Sequence, residues 1–186
     1  MNETKISDPI PPDELWALTA KALDNGDFTS LGELLSAQNA SIISLVEANR
    51  EPEEYMNEAF TWACFEGRTA EAEALLDKGV DPASGIKTGL AGFHWAANRG
   101  QMETVTMLIE RKAPLEQVNM YGGTVLGCAF YSIVHEHKAT HSEIIKLLIE
   151  AGAIIEPGTL EWWEEQNVLG EPKKIVRNAL RRANAV

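Results

Sequence analysis

An all-α solenoid of about five helix-turn-helix repeats is the fold this sequence predicts, on three observations. Apolar residues recur five, eight and nine places after certain glycines, and two small or apolar residues precede each of those glycines. The whole arrangement around Gly67 returns around Gly100, so the chain repeats itself at a fixed step. The five-eight-nine spacing puts the apolar triad on one helical face. A helix pair this short cannot bury that face alone, so successive pairs must stack.

The elements follow in order. Residues 1–12 read as a loose tail and 13–186 as a single domain, with Asp13 placed to cap the first helix. In the first repeat Ala22 and Leu23 precede Gly26, and Leu31, Leu34 and Leu35 follow it. The stretch "NASIISLVEANREPEE" exceeds a normal connector and reads as holding a short extra helix. The second repeat has Ala63 and Cys64 before Gly67, with Ala72, Leu75 and Leu76 after it. The third has Ala96 and Ala97 before Gly100, with Val105, Leu108 and Ile109 after. In the fourth, Ala129 and Phe130 lead to Ile145, Leu148 and Ile149, but the step from Phe130 to Ile145 is longer by seven than the step from Ala97 to Val105. The excess falls within "YSIVHEHKAT" and predicts a loop insertion. A weaker fifth copy keeps an apolar stripe at Ile175, Val176, Ala179 and Leu180, slipped by about one residue, with Pro172 suited to a first helical turn.

These residues resemble the ankyrin repeat family, whose pattern is Gly-x-Thr-Pro-Leu-His-x-Ala-Ala-x-x-Gly followed by a second helix ending in Leu-Leu and a Gly-Ala turn. Gly89 to Gly100 fits it through His94, Ala96 and Ala97, with Ala91, Gly92 and Phe93 in place of Thr, Pro and Leu. "GGTVLGCAF" keeps Thr124 and Leu126 but has Val125 for Pro and Gly127 for the histidine, and "LLDKGVD" and "LLIEAGA" match the turn. The resemblance spans roughly residues 13–183, with the first and last repeats degenerate as caps are. It implies that His94 ties neighbouring loops by hydrogen bonds, and no nucleophile or paired carboxylate beside it suggests catalysis.

The resemblance also implies a binding face, formed by the finger loops and the two residues before each helix-joining glycine. Carried over position by position, the finger of repeat three offers Lys87, Thr88 and Leu90, and the next finger Met120 and Tyr121. The pre-glycine pairs are Phe65 with Glu66 and Asn98 with Arg99, while Tyr131 and Ser132 lead into the insertion. Exposed aromatics and an arginine are the residue types that anchor interfaces. Packing on the adjacent repeat is the competing role for Phe65 and Met120. Trp62 and Trp95 share one repeat position and read as inter-repeat packing rather than a ligand platform. Trp162 and Trp163 are expected to seal the last cap, one of them partly exposed.

Charge narrows the partner. Sixteen Lys and Arg against 28 Asp and Glu leave a net charge of −12, a field that repels a phosphate backbone, so nucleic acid is not an expected partner. Nine acids lie between Glu51 and Asp81, while the tail is basic, with Lys173, Lys174, Arg177, Arg181 and Arg182. The acidic middle reads as a solvated helix face or as the complement of a basic patch on another protein. The start lacks an apolar signal region, no run approaches a membrane span, and Cys64 and Cys128 read as buried free thiols, so a cytoplasmic setting is expected.

"HEHKATH" supplies His135, His137 and His141, but the spacing matches no helical zinc motif, and an exposed polar loop is the favoured reading, with no metal and no cofactor. Phosphate loops, dinucleotide fingerprints and nucleophile elbows are absent. The sequence reads as a non-catalytic protein-binding module, an adaptor or regulator. The alternatives are a dedicated inhibitor or immunity-type protein and, less favoured, a metal-binding protein.

Overall fold

The computed structural model describes residues 9–48, 52–85, 87–136 and 140–183. Five helix pairs run along it: α1 (Pro12–Asn25) with α2 (Phe28–Gln38), α4 (Pro52–Glu66) with α5 (Thr69–Asp77), α6 (Gly92–Arg99) with α7 (Met102–Glu110), α8 (Val125–Glu136) with α9 (Thr140–Glu150), and α10 (Thr159–Glu165) with α11 (Gly170–Ala183). The expected extra helix is α3, Ile42–Glu47, started by Ser41 Oγ accepting from the Ser44 amide. First helices pack on first helices (α1 on α4, α4 on α6, α6 on α8), and second helices on second helices (α5 on α7, α7 on α9, α9 on α11). The result is a two-layered stack.

The triads form the seam between the layers. Leu31, Leu35, Ala72, Leu75, Val105, Leu108, Ile145 and Leu148 are buried, joined from the first helices by Ala63, Ala96, Ala97 and Ala129. Small side chains there let the paired helices approach closely. In the last repeat Val176, Ala179 and Leu180 are buried, and Trp163 is fully buried while Trp162 stays partly exposed. Two expectations need adjusting. The first helix begins at Pro12 with Pro11 at its cap and no side-chain capping bond, so Asp13 sits within the first turn instead of preceding it. The extra residues of the fourth repeat are partly helical, lengthening α8 to Glu136 before α9 opens at Thr140. Most of the tail expected to be loose, residues 1–8, lies outside the described residues.

Polar ties hold the repeats in register. Gln101, which opens the second helix of repeat three, donates from Nε2 to the Phe65 carbonyl at 2.9 Å, and His141 donates from Nε2 to the Asn98 carbonyl at 2.9 Å. Phe65 and Asn98 are equivalent, each two places before its junction glycine. Those glycines make room. Gly67 has φ +72°, and a Cβ on it would come within 2.3 Å of Gln101 Oε1; Gly100 has φ +78°, and a Cβ there would lie 2.9 Å from Thr140 Oγ1. On the loop side His94 Nε2 donates to the Gln117 carbonyl at 2.9 Å, and Thr61, at the same repeat position, donates from Oγ1 to the Gly85 carbonyl at 2.9 Å. His94 is thus architecture, as the resemblance implied.

The last cap uses a buried cation. Lys173 Nζ donates to the carbonyls of Trp163 at 2.5 Å, Gln166 at 2.7 Å and Glu164 at 3.0 Å at the C-terminus of α10, where the Trp163 carbonyl also accepts the Gln166 amide at 3.1 Å, and it lies 5.1 Å from the centre of the Trp163 ring.

These contacts set two expected outcomes. Lys173→Met is expected to cost about 1–3 kcal/mol in urea unfolding, because it removes three hydrogen bonds from a charged donor and leaves the Glu164 and Gln166 carbonyls without their partner; an unchanged midpoint would contradict the capping role. Burial lowers the His94 pKa from its ordinary 6.5, so below that pH the unfolded chain takes up a proton that the folded chain resists. The stabilisation is complete above about pH 6.5 and is lost as pH falls through the lower folded value. Thermal midpoints measured from pH 7.5 to 5.5 should fall for the native chain and fall less steeply for His94→Gln.

Candidate functional site

The finger between α7 and α8 is built around Asn119. Its Oδ1 accepts the amides of Tyr121 at 2.9 Å and Gly123 at 3.0 Å, its own amide bonds the Gly123 carbonyl, and its Nδ2 donates to Cys128 Sγ at 3.3 Å. The finger is also pinned to its predecessor, because the Met120 amide donates to the Gly89 carbonyl at 3.0 Å and Gln117 Nε2 to the Ala83 carbonyl at 2.7 Å. On this fixed loop Met120 is 70% and Tyr121 76% exposed. On α8 Tyr131 is 61% exposed, its ring tilted against His135 with centres 4.3 Å apart.

Between finger and helices lies a concave cavity of about 490 Å³. Leu90 and Asn98 line it from the third repeat, and Tyr121, Gly127, Cys128 and Tyr131 from the fourth. Its size suits a side chain or short segment of another molecule.

Beside it sits an aromatic cluster. Phe65 packs edge-on against Phe28 at 5.5 Å and Trp95 at 5.1 Å, and the Arg99 guanidinium lies 4.7 Å above the Phe65 ring. Arg99 is exposed and makes no ion pair among the described residues. Lys87 differs: its Nζ pairs with Asp24 at 3.0 Å and lies 5.6 Å from the Tyr55 ring centre.

A profile of ankyrin repeats in three copies matches residues 60–158, more than half of the chain. The chain belongs to the ankyrin repeat family. An ankyrin repeat domain from Acinetobacter baumannii AYE, solved at 1.00 Å, superposes with a TM-score of 0.58 at 20% identity, covering 89% of this chain and 97% of that one. At that identity the likeness shows the fold alone. No curated protein matches the sequence. Ankyrin repeats are generally protein–protein interaction modules and a non-catalytic fold.

In this ankyrin stack the residues expected on the binding face divide into two groups. Leu90, Asn98, Tyr121 and Tyr131 converge on the cavity, with Arg99 adjacent to Asn98 in the chain and Met120 next to Tyr121. Of the others, Thr88, Ser132 and Phe65 make internal contacts. Thr88 Oγ1 accepts the Trp95 indole N–H at 2.9 Å and donates to the Leu90 carbonyl, and its methyl would meet any Cβ on Gly26. Ser132 is fully buried and bonds Asn98 Nδ2 at 2.8 Å. Phe65 is half-buried in its cluster, and Glu66 is exposed beside Gly32 of α2.

The insert histidines do not form one group. His135 is exposed at the end of α8, and His137 lies outside the described residues. His141, expected in an exposed polar loop, is instead buried on α9 and committed to the Asn98 carbonyl. Among the described residues no three metal-ligating side chains lie together, and no helix is long and apolar enough to cross a membrane. Both cysteines are buried and free, and burial raises both thiol pKa values, leaving no ready thiolate.

The division predicts different costs. Arg99→Ala should change stability by less than about 1 kcal/mol, whereas Phe65→Ala should cost about 2–4 kcal/mol by opening a gap between Phe28 and Trp95. Denaturant titration of the two variants checks this, and equal costs would contradict it.

Proposed function

We propose that this ankyrin protein binds a partner protein through its concave face and finger loops, without catalysis, as an adaptor or regulator. The observation that carries the reading is Tyr121, largely exposed yet held by a finger bonded at Asn119, Gln117 and Met120. A large side chain kept in water on a fixed loop loses little ordering entropy when a partner covers it. Arg99, exposed over Phe65 without an ion pair among the described residues, supplies a second anchor type in the same region. The buried free thiols are compatible with a reducing, cytoplasmic setting.

A second reading rests on the net charge of −12: a dedicated inhibitor steered onto a basic target. Its mark would be an association rate that falls steeply with added salt.

The reading is tested by affinity capture on the native chain and on an Arg99→Ala/Tyr121→Ala double variant, with affinities then measured for each captured protein. The double variant should keep its fold and weaken binding by roughly thirtyfold or more, the scale of lost anchor residues. Equal affinity for both chains would move the interaction off the concave face.

A further inference from the structure

Trp62, Trp95 and Cys128 stand at one and the same position of three successive repeats, separated by equal steps along the chain. Both indoles are held by a hydrogen bond, but to different acceptors. Trp62 sends its Nε1–H back to the Phe28 carbonyl at 3.2 Å. Trp95 sets its ring edge-on to Phe65 of the preceding repeat and donates its Nε1–H to Thr88 Oγ1 of its own finger. One repeat further on, the places of Phe65 and Thr88 are taken by Asn98 and Tyr121, and both line the concave cavity together with Cys128. The residue before the indole completes the pattern. Thr61 and His94 fill that place in repeats two and three and bond a finger carbonyl, but the fourth repeat has Gly127, where a Cβ would meet only Thr124 Oγ1 at 3.5 Å. The cavity is therefore the counterpart of the space that the Trp95 indole fills one repeat earlier, left open by Gly127 and Cys128.

We infer that this cavity takes an aromatic side chain, an indole above all, from an extended segment of the partner protein, and that an acidic residue of the same segment meets Arg99. The inference rests on the concave-face reading and makes it chemically specific. Tyr121, Tyr131 and Leu90 supply apolar and aromatic walls of the kind that receive interface anchors. Arg99 follows Asn98 directly, and its only partner among the described residues is the face of Phe65, which leaves its N–H fork for a carboxylate. Lys87 cannot substitute, because Asp24 already holds it.

The test is selection of a displayed random peptide library on the full chain. Synthetic versions of the enriched peptides are then measured against the native chain, Cys128→Trp, Tyr131→Ala and the Arg99→Ala/Tyr121→Ala variant. The expected peptides share a tryptophan, or another aromatic, within a few residues of Asp or Glu. Their affinity should fall at least tenfold on Cys128→Trp, which supplies the missing indole from within, and on replacing the peptide's aromatic by alanine. Tyr131 is exposed, so Tyr131→Ala serves as the folded reference if Cys128→Trp fails to fold, and it too should weaken binding. No enrichment, peptides without an aromatic, or affinities unmoved by the folded cavity variants would overturn the inference. Tight binding of free indole with no peptide enriched would make the cavity a small-molecule site and overturn it equally. Peptides lost on the Arg99/Tyr121 variant but indifferent to Cys128→Trp and Tyr131→Ala would sink this inference and leave the concave-face reading standing. Indifference to all three variants would remove both.

Discussion

The hydrogen bond from the start of the second helix to the preceding repeat, made in repeats three and four, is the constraint on which the central repeats depend. Gln101 reaches the Phe65 carbonyl and His141 the Asn98 carbonyl, and both accepting carbonyls lie near the end of a first helix, where acceptors lack helical partners. A side chain can approach so closely only because the residue at the helix junction lacks a Cβ and takes positive φ. The same two residues, Phe65 and Asn98, also face the aromatic cluster and the cavity through their side chains. Backbone tie and candidate binding surface are therefore two sides of the same positions.

This coupling explains how the exposed groups stay ordered. Tyr121 gains no packing from its exposed ring, but Asn119 holds its amide and Gly89 holds its neighbour. The loop-side ties of His94 and Thr61 anchor the fingers to the first helices. A surface of aromatics and an arginine, Arg99, without an ion pair among the described residues, carried by such a frame, meets a partner with its geometry already set.

Much of the fold is legible in the sequence because stacking imposes period and face on the chain. The triads after Gly26, Gly67, Gly100 and the fourth repeat, the architectural role of His94, the extra helix α3 and the partial exposure of Trp162 all follow from local spacing, amphipathicity and the family pattern. Contacts that bridge repeats through one unusual side chain are not legible there. His141 lies in a polar stretch of sequence, yet it falls at the position of Gln101, directly after the helix junction; the insertion in the fourth repeat hides that equivalence. Lys173 looks like one of a basic run, and only the docking of α10 on α11 makes it a buried cap. Position alone puts Ser132 and Thr88 on the binding face, but their hydroxyls are turned to internal partners. The step from Trp62 and Trp95 to Cys128 is visible as an even spacing, but its meaning as missing volume needs coordinates.

Native-state amide hydrogen exchange tests most directly whether the ties hold the concave face as one body. Protected amides of α4, α6 and α8 should exchange through a common opening, and Gln101→Leu should lower protection in α4 and α6 together. Independent opening of the fourth repeat, or a Gln101→Leu effect confined to α7, would contradict the account.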